Sequence, residues 1–121
     1  MIRIELSDRE VRVLELRKNG KTFREIADAL GMNHYQQSQG IYRKALKKLR
    51  TYRDIQKNDP SLLSAASKQG FNFAQLSRLY SIMVKNGIAN RYKAMSSIEI
   101  AETEGIGEEY LKVLEISKRL S

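Results

Sequence analysis

Helix-start and helix-stop signals alternate along this 121-residue chain, and that alternation limits it to a succession of helices. Ser7 is followed three residues later by Glu10, Thr22 by Glu25, Asn33 by Gln36 and Ser96 by Glu99. Each pair reads as a capping box, in which two side chains satisfy orphan amides of a first helical turn. Gly20, Gly31, Gly70 and Gly87 follow the apolar segments. A left-handed glycine there closes a helix without steric cost. The expected fold class is all-α.

The segments between these signals carry helical periodicity. Ile2, Ile4 and Leu6 alternate with polar residues and predict a short extended arm. A first helix is expected from about Asp8 to Lys18, with Val11, Val13, Leu14 and Leu16 on its buried side. Phe23, Ile26, Ala27 and Leu30 give one apolar face to a second helix of about eight residues. A long third helix follows, from about His34 or Tyr35 to about Ile55, with Asn33 as its cap. Ile41, Ala45, Leu46, Leu49 and Tyr52 form its inner stripe; Gln37, Arg43, Lys44, Lys47 and Lys48 lie opposite. Gly40, inside this helix, costs about 1 kcal/mol of propensity relative to alanine.

Asn58-Asp59-Pro60 is the clearest boundary, since Asp59 can cap and Pro60 can take the first helical position. It divides the chain into residues 1–57 and a small helical domain of residues 58–121. Halves this small bury only roughly 60% of their unfolded surface, so each needs a packing partner. In the second half, Leu62, Leu63 and Ala66 mark a short helix. Phe71 and Leu76 staple the next, which carries Leu79, Tyr80, Met83 and Val84. Residues 88–95 read as a short helical piece. Ile98, Ile100 and Ala101 precede a tight break at Gly105-Ile106-Gly107, and a last helix from about Glu108 turns Leu111, Leu114 and Leu120 inward.

Charge is unevenly placed. The net charge is +8, and residues 1–60 hold fourteen Lys/Arg against eight Asp/Glu. Arg43, Lys44, Lys47, Lys48, Arg50 and Arg53 form a run with no acid before Asp54. Such a run suits a polyanion, or a plain solvated face. With no cysteine, thiol catalysis, disulfides and thiolate metal sites are excluded. No apolar run approaches the roughly 20 residues of a membrane span, and no signal-peptide core opens the chain. The only histidine, His34, sits at a helix start. Gly105-Ile106-Gly107 lacks the strand context and third glycine of a dinucleotide fingerprint. Neither enzyme chemistry nor a metal, cofactor or small-molecule substrate is expected.

The first three helices have the arithmetic of a helix-turn-helix: support helix, short helix, turn at glycine, then a helix with a polar, exposed start. The second of such paired helices enters the major groove, where its first turns meet base edges. Glutamine suits this role because its amide pairs bidentately with adenine. Arginine and lysine farther along can hold phosphates.

The stretches Leu6-Ser-Asp-Arg-Glu10, Val13-Leu14-Glu-Leu16, Gly20-Lys-Thr-Phe-Arg-Glu-Ile-Ala27, Leu30-Gly31 and Ile41-Tyr-Arg-Lys-Ala-Leu-Lys-Lys-Leu-Arg50 resemble region four of bacterial sigma factors. They are similar, more loosely, to the DNA-binding modules of response regulators. In the sigma family the helix after the turn reads a promoter element. The resemblance therefore implies base contacts from Tyr35, Gln36, Gln37, Gln39 and Gly40, and phosphate contacts from Thr22, Arg24, His34, Arg43, Lys44 and Lys47. Between Gly31 and Ala45-Leu46 the chain is one residue longer than the family pattern, and the usual aliphatic position falls on Gln37 or Ser38. The register of the recognition segment is open by that one position. The chain also has no evident core-polymerase-binding region.

In the second half, Ile98-Glu-Ile-Ala-Glu-Thr-Glu-Gly-Ile-Gly-Glu-Glu-Tyr-Leu-Lys-Val-Leu114 resembles a helix-hairpin-helix. Residues 76–114 more broadly resemble the C-terminal domain of the bacterial RNA polymerase alpha subunit. The resemblance implies a second DNA contact through the amides around Gly105 and Gly107. Glu104, Glu108 and Glu109 oppose it electrostatically, so a structural turn or a protein-binding surface is the competing reading.

The expected function is a sequence-specific, double-stranded-DNA-binding regulator of transcription, working as a homodimer in the cytoplasm on the nucleoid. Two alternatives stand beside it. One is a sigma-like adaptor that binds RNA polymerase or another protein; the other is a DNA-organising or segregation protein of a phage or plasmid.

Overall fold

The computed structural model describes residues 2–121, and among these there are only helices, turns and extended segments, with no strand. The helices are α1 (Asp8–Lys18), α2 (Phe23–Ala29), α3 (Tyr35–Asn58), α4 (Pro60–Lys68), α5 (Phe73–Lys85), α6 (Ser97–Ala101) and α7 (Glu108–Leu120). A single 3-10 turn, Tyr92–Ala94, is the helical piece expected over residues 88–95.

The described residues fall into two compact units, residues 4–50 and residues 2–3 together with 51–121. The division lies inside α3, several residues before Asn58-Asp59-Pro60. Its reason is packing. Ile55 is buried, the Tyr52 ring stacks on Phe73, and the Tyr52 hydroxyl donates to the Ile2 carbonyl at 3.0 Å. The last turns of α3 thus share a core with the helices that follow them.

In the unit of residues 4–50, local sequence dictates α1 and α2. Ser7 Oγ accepts from Glu10 N at 3.1 Å while Glu10 Oε1 accepts from Ser7 N at 2.9 Å. Thr22 and Glu25 make the same reciprocal pair. The core is Val13, Ile26, Ala27, Met32 and Ala45, with Leu14 and Leu16 half-buried. Val11, expected inward, is exposed because it lies two residues, about 200° of helix, from the fully buried Val13. The Phe23 ring meets the edge of Tyr42 at 5.5 Å, and the Arg17 guanidinium lies over Phe23 at 4.3 Å.

Glu10 does a second job. Its Oε1 also takes an ion pair from Lys48 Nζ at 2.8 Å, which fastens α1 to α3, while its buried Oε2 has no hydrogen-bond partner among the described residues. Lys48 is therefore drawn off the exposed basic face on which the sequence placed it. Burial pushes the Glu10 carboxyl upward, but the Lys48 and Ser7 hydrogen bonds outweigh it and hold the group below its ordinary value of 4.5. Replacing Lys48 by methionine strands this carboxylate. With the lysine only partly buried, the expected loss is about 2 kcal/mol near pH 7. A depressed carboxyl stabilises above its unfolded value and loses that contribution as pH falls through the folded one. The gap between wild type and Lys48→Met should hence narrow below pH 4.5 in urea titrations. A gap independent of pH would refute the ion-pair account.

In the other unit, α7 packs on α4, α6 and the 3-10 turn. Leu62, Leu63, Leu76, Leu79, Met83, Ile88, Ile100, Val113 and Leu114 fill its centre. At the Gly105 break, a Cβ would meet Ile82 Cγ2 at 3.1 Å and the backbone has φ +88°, so glycine has an internal reason there. Leu120, expected inward, faces solvent, and Val84 and Ile98 are exposed as well. Val84 follows the buried Met83 around the helix and turns away. The five-residue α6 buries only Ile100, leaving Ile98 72% exposed. Leu120 stands in the terminal turn of α7.

Candidate nucleic-acid interface

The sequence left the start of α3 open by one residue, and a single side chain fixes it. Ser38 is fully buried. Its hydroxyl lies 2.9 Å from the Phe23 carbonyl and 2.6 Å from the Tyr35 carbonyl. It takes the inward position and locks the first turn of α3 to the start of α2. Gln36 and Gln37 consequently both face solvent.

The expected Asn33–Gln36 box does not form. Tyr35 is the first helical residue, so the flanking position belongs to His34, and Gln37 Oε1 approaches His34 N at 3.5 Å. Only this one side-chain contact forms, at a long and weak distance.

Side chains on α3 three and four residues apart are neighbours on one surface. Gln36, Gly40, Arg43 and Lys47 therefore form one line, about 16 Å long at 1.5 Å rise per residue. Gln37 and Lys44 flank it. All six are exposed, whereas Gln39 is half-buried at the side. Among the described residues, no ion pair involves Arg43, Lys44 or Lys47. Their charge is fully available to a partner.

The approach to this face is a concavity of about 400 Å³ between α2 and α3. Arg24, Asp28, Asn33, His34, Tyr35 and Gln36 line it. The Arg24 guanidinium lies 5.3 Å from the Tyr35 ring centroid, a cation–π pair that holds both side chains at the rim. Thr22 is exposed, and its hydroxyl accepts from Glu25 N at 3.2 Å. Hydrogen bonds from Thr22 hold the exposed Glu25 carboxyl below its usual range.

The expected second contact looks different. Gly107 starts α7 in an extended conformation with no side-chain cap. It shares a groove of about 410 Å³ with Phe71, Arg78, Gly105, Glu108 and Tyr110. Glu108 and Glu109 are exposed in the first turn of α7, and they place negative charge where a phosphate would sit.

No group of His, Asp and Glu side chains suited to a metal occurs among the described residues, and no described helix is long and apolar enough to cross a membrane. Comparison with protein-family models, curated proteins and solved structures gives no match.

Proposed function

We propose that α2, the turn at Gly31 and the first turns of α3 work as a helix-turn-helix, and that the protein is a sequence-specific DNA-binding regulator of transcription. The observation that carries this reading is the outward face of α3. Two amides lead, three cations outside any ion pair among the described residues follow, and no acid interrupts them. A major groove about 12 Å wide accepts a helix, and its base edges offer the paired donors and acceptors that Gln36 and Gln37 can meet. Arg43, Lys44 and Lys47 then lie toward the groove walls, where phosphate contacts fix register without reading sequence. Thr22, Arg24 and His34 stand at the opposite wall. Ser38 supports the same reading, since an anchored first turn costs less ordering on binding than a loose one.

The unit of residues 51–121 serves, in this reading, for self-association or a protein partner. One such reading helix covers few base pairs, and two copies about 34–36 Å apart on DNA would double the address. The protein acts without catalysis or cofactor, on the nucleoid. Exposed Glu108 and Glu109 count against the Gly105–Gly107 hairpin as a second phosphate site.

The test is enrichment of duplexes from a randomised pool, followed by footprinting. We expect a recurring sequence, protected as two symmetric half-sites, with Gln36→Ala relaxing the preference at one base pair. Binding without preference over random duplex, as a footprint that lengthens cooperatively, would instead favour a DNA-organising role. No duplex binding, with retention of RNA polymerase in a pull-down, would favour the adaptor.

A further inference from the structure

Of the seven glycines, Gly40 alone lies inside a helix. The usual reasons for glycine are missing there. Its φ is not in the left-handed region, and a Cβ built on it meets nothing within 4 Å. Alanine would fit the protein and favour the helix. The backbone at Gly40 is exposed, and its four surface neighbours are Gln36 and Gln37 on one side, Arg43 and Lys44 on the other. The result is a bare patch of helix fenced by two amides and two cations.

We infer that Gly40 is the point of closest approach between α3 and DNA, a notch that seats a base-pair edge and so determines which sequences bind. The inference rests on the reading of α3 as the DNA-facing helix. The chemistry around the notch suits that occupant. A duplex offers base edges with hydrogen-bonding groups on the groove floor and phosphates at the margins, so a helix that reads them must come close. A Cβ lies about 1.5 Å from its Cα, so one methyl group holds the helix off by a comparable distance. Amide-to-base hydrogen bonds from Gln36 and Gln37 near 2.9 Å would then stretch beyond useful length. The helix thus gives up propensity in order to let DNA in.

Opposite signs for stability and binding test this. Gly40→Ala should raise the Tm by about 4 °C, as expected for removing an exposed mid-helix glycine. It should weaken binding to the duplex that wild type enriches from a randomised pool by about tenfold or more, the scale of one lost bidentate contact. Gly40→Leu should weaken it further. A raised Tm with unchanged or tighter binding would overturn the notch and leave the helix-turn-helix reading standing. A lowered Tm would show an internal role for Gly40 and overturn it too. If wild type enriches no duplex at all, the reading of α3 itself fails, and the notch falls with it.

Discussion

Asp59→Ala is expected to cost about 3 kcal/mol, the largest loss from any one polar residue in this chain. Asp59 is buried just before α4, and four donors converge on it. Its Oδ1 accepts from Ser61 Oγ at 2.8 Å, from Lys93 Nζ at 3.0 Å and, more weakly, from Leu62 N at 3.3 Å. Its Oδ2 accepts from the buried Tyr92 hydroxyl at 2.6 Å. That hydroxyl also meets Ser117 of α7, so one carboxylate ties the start of α4 to the 3-10 turn and to the last helix. Truncation removes a helix cap, worth about 1 kcal/mol. It also leaves buried donors short of an acceptor, at roughly 1–3 kcal/mol. Lys93 is partly exposed and can rehydrate, which keeps the total toward the lower end for a broken buried pair. Against a typical total of about 5–15 kcal/mol, such a loss is large. Asp59→Asn keeps an acceptor and a cap and should lose about half as much. Urea denaturation of the two variants decides the matter, and equal losses would mean that the charge, not the network, carries the effect.

The same network makes stability depend on pH at the alkaline end. Burial, and next the bond to Asp59, push the Tyr92 hydroxyl well above its ordinary value of 10. Below pH 10 both folded and unfolded chains keep this proton. As pH rises past 10 only the unfolded chain releases it, so stability falls. Removing the hydroxyl in Tyr92→Phe removes that part of the alkaline slope.

Much of this architecture is legible in the sequence because its causes are local. The boxes at Ser7–Glu10, Thr22–Glu25 and Ser96–Glu99 form as read, and so does the cap at Asp59 with Pro60 in the first turn. A box needs only four consecutive residues. What periodicity could not show is which edge of each apolar stripe meets a neighbour. Val11 and Val84 each follow a buried residue in sequence, and Ile98 lies two before one, yet tertiary packing leaves all three outside.

The polar core was least legible. Glu10 and Lys48 are 38 residues apart, and Asp59 and Tyr92 are 33 apart. No local pattern marks such pairs, although an acid in a capping box has a second oxygen to satisfy. On α3 the order of amides and cations was readable. The sorting of Lys48 from Lys44 and Lys47 was not, because it depends on where Glu10 lies. For Ser38 the sequence leaves open whether it or Gln37 turns inward. Its anchor, the Phe23 carbonyl, lies on another helix.

Replacing Arg43, Lys44 and Lys47 together by alanine should weaken duplex binding about a hundredfold at 0.15 M salt while leaving the fold intact. The three side chains are exposed and outside any ion pair among the described residues, and alanine favours a helix, so stability should change little. Binding is different. Each phosphate neutralised by a cation releases counterions, and the slope of log affinity against log salt is about −0.9 per contact. Loss of three contacts flattens that slope by about 2.7, which extrapolated from 1 M gives the hundredfold loss. Gln36→Ala with Gln37→Ala should do the reverse, erasing preference between sequences while leaving the slope nearly unchanged. Salt titrations on an enriched duplex and on a mixed-sequence duplex separate the two groups. If the triple variant keeps the wild-type slope, these cations do not face phosphates, and the groove lies on some other surface of the protein. If the amide variant flattens the slope as well, the two ends of α3 do not divide reading from holding, and the line from Gln36 to Lys47 is an electrostatic surface alone.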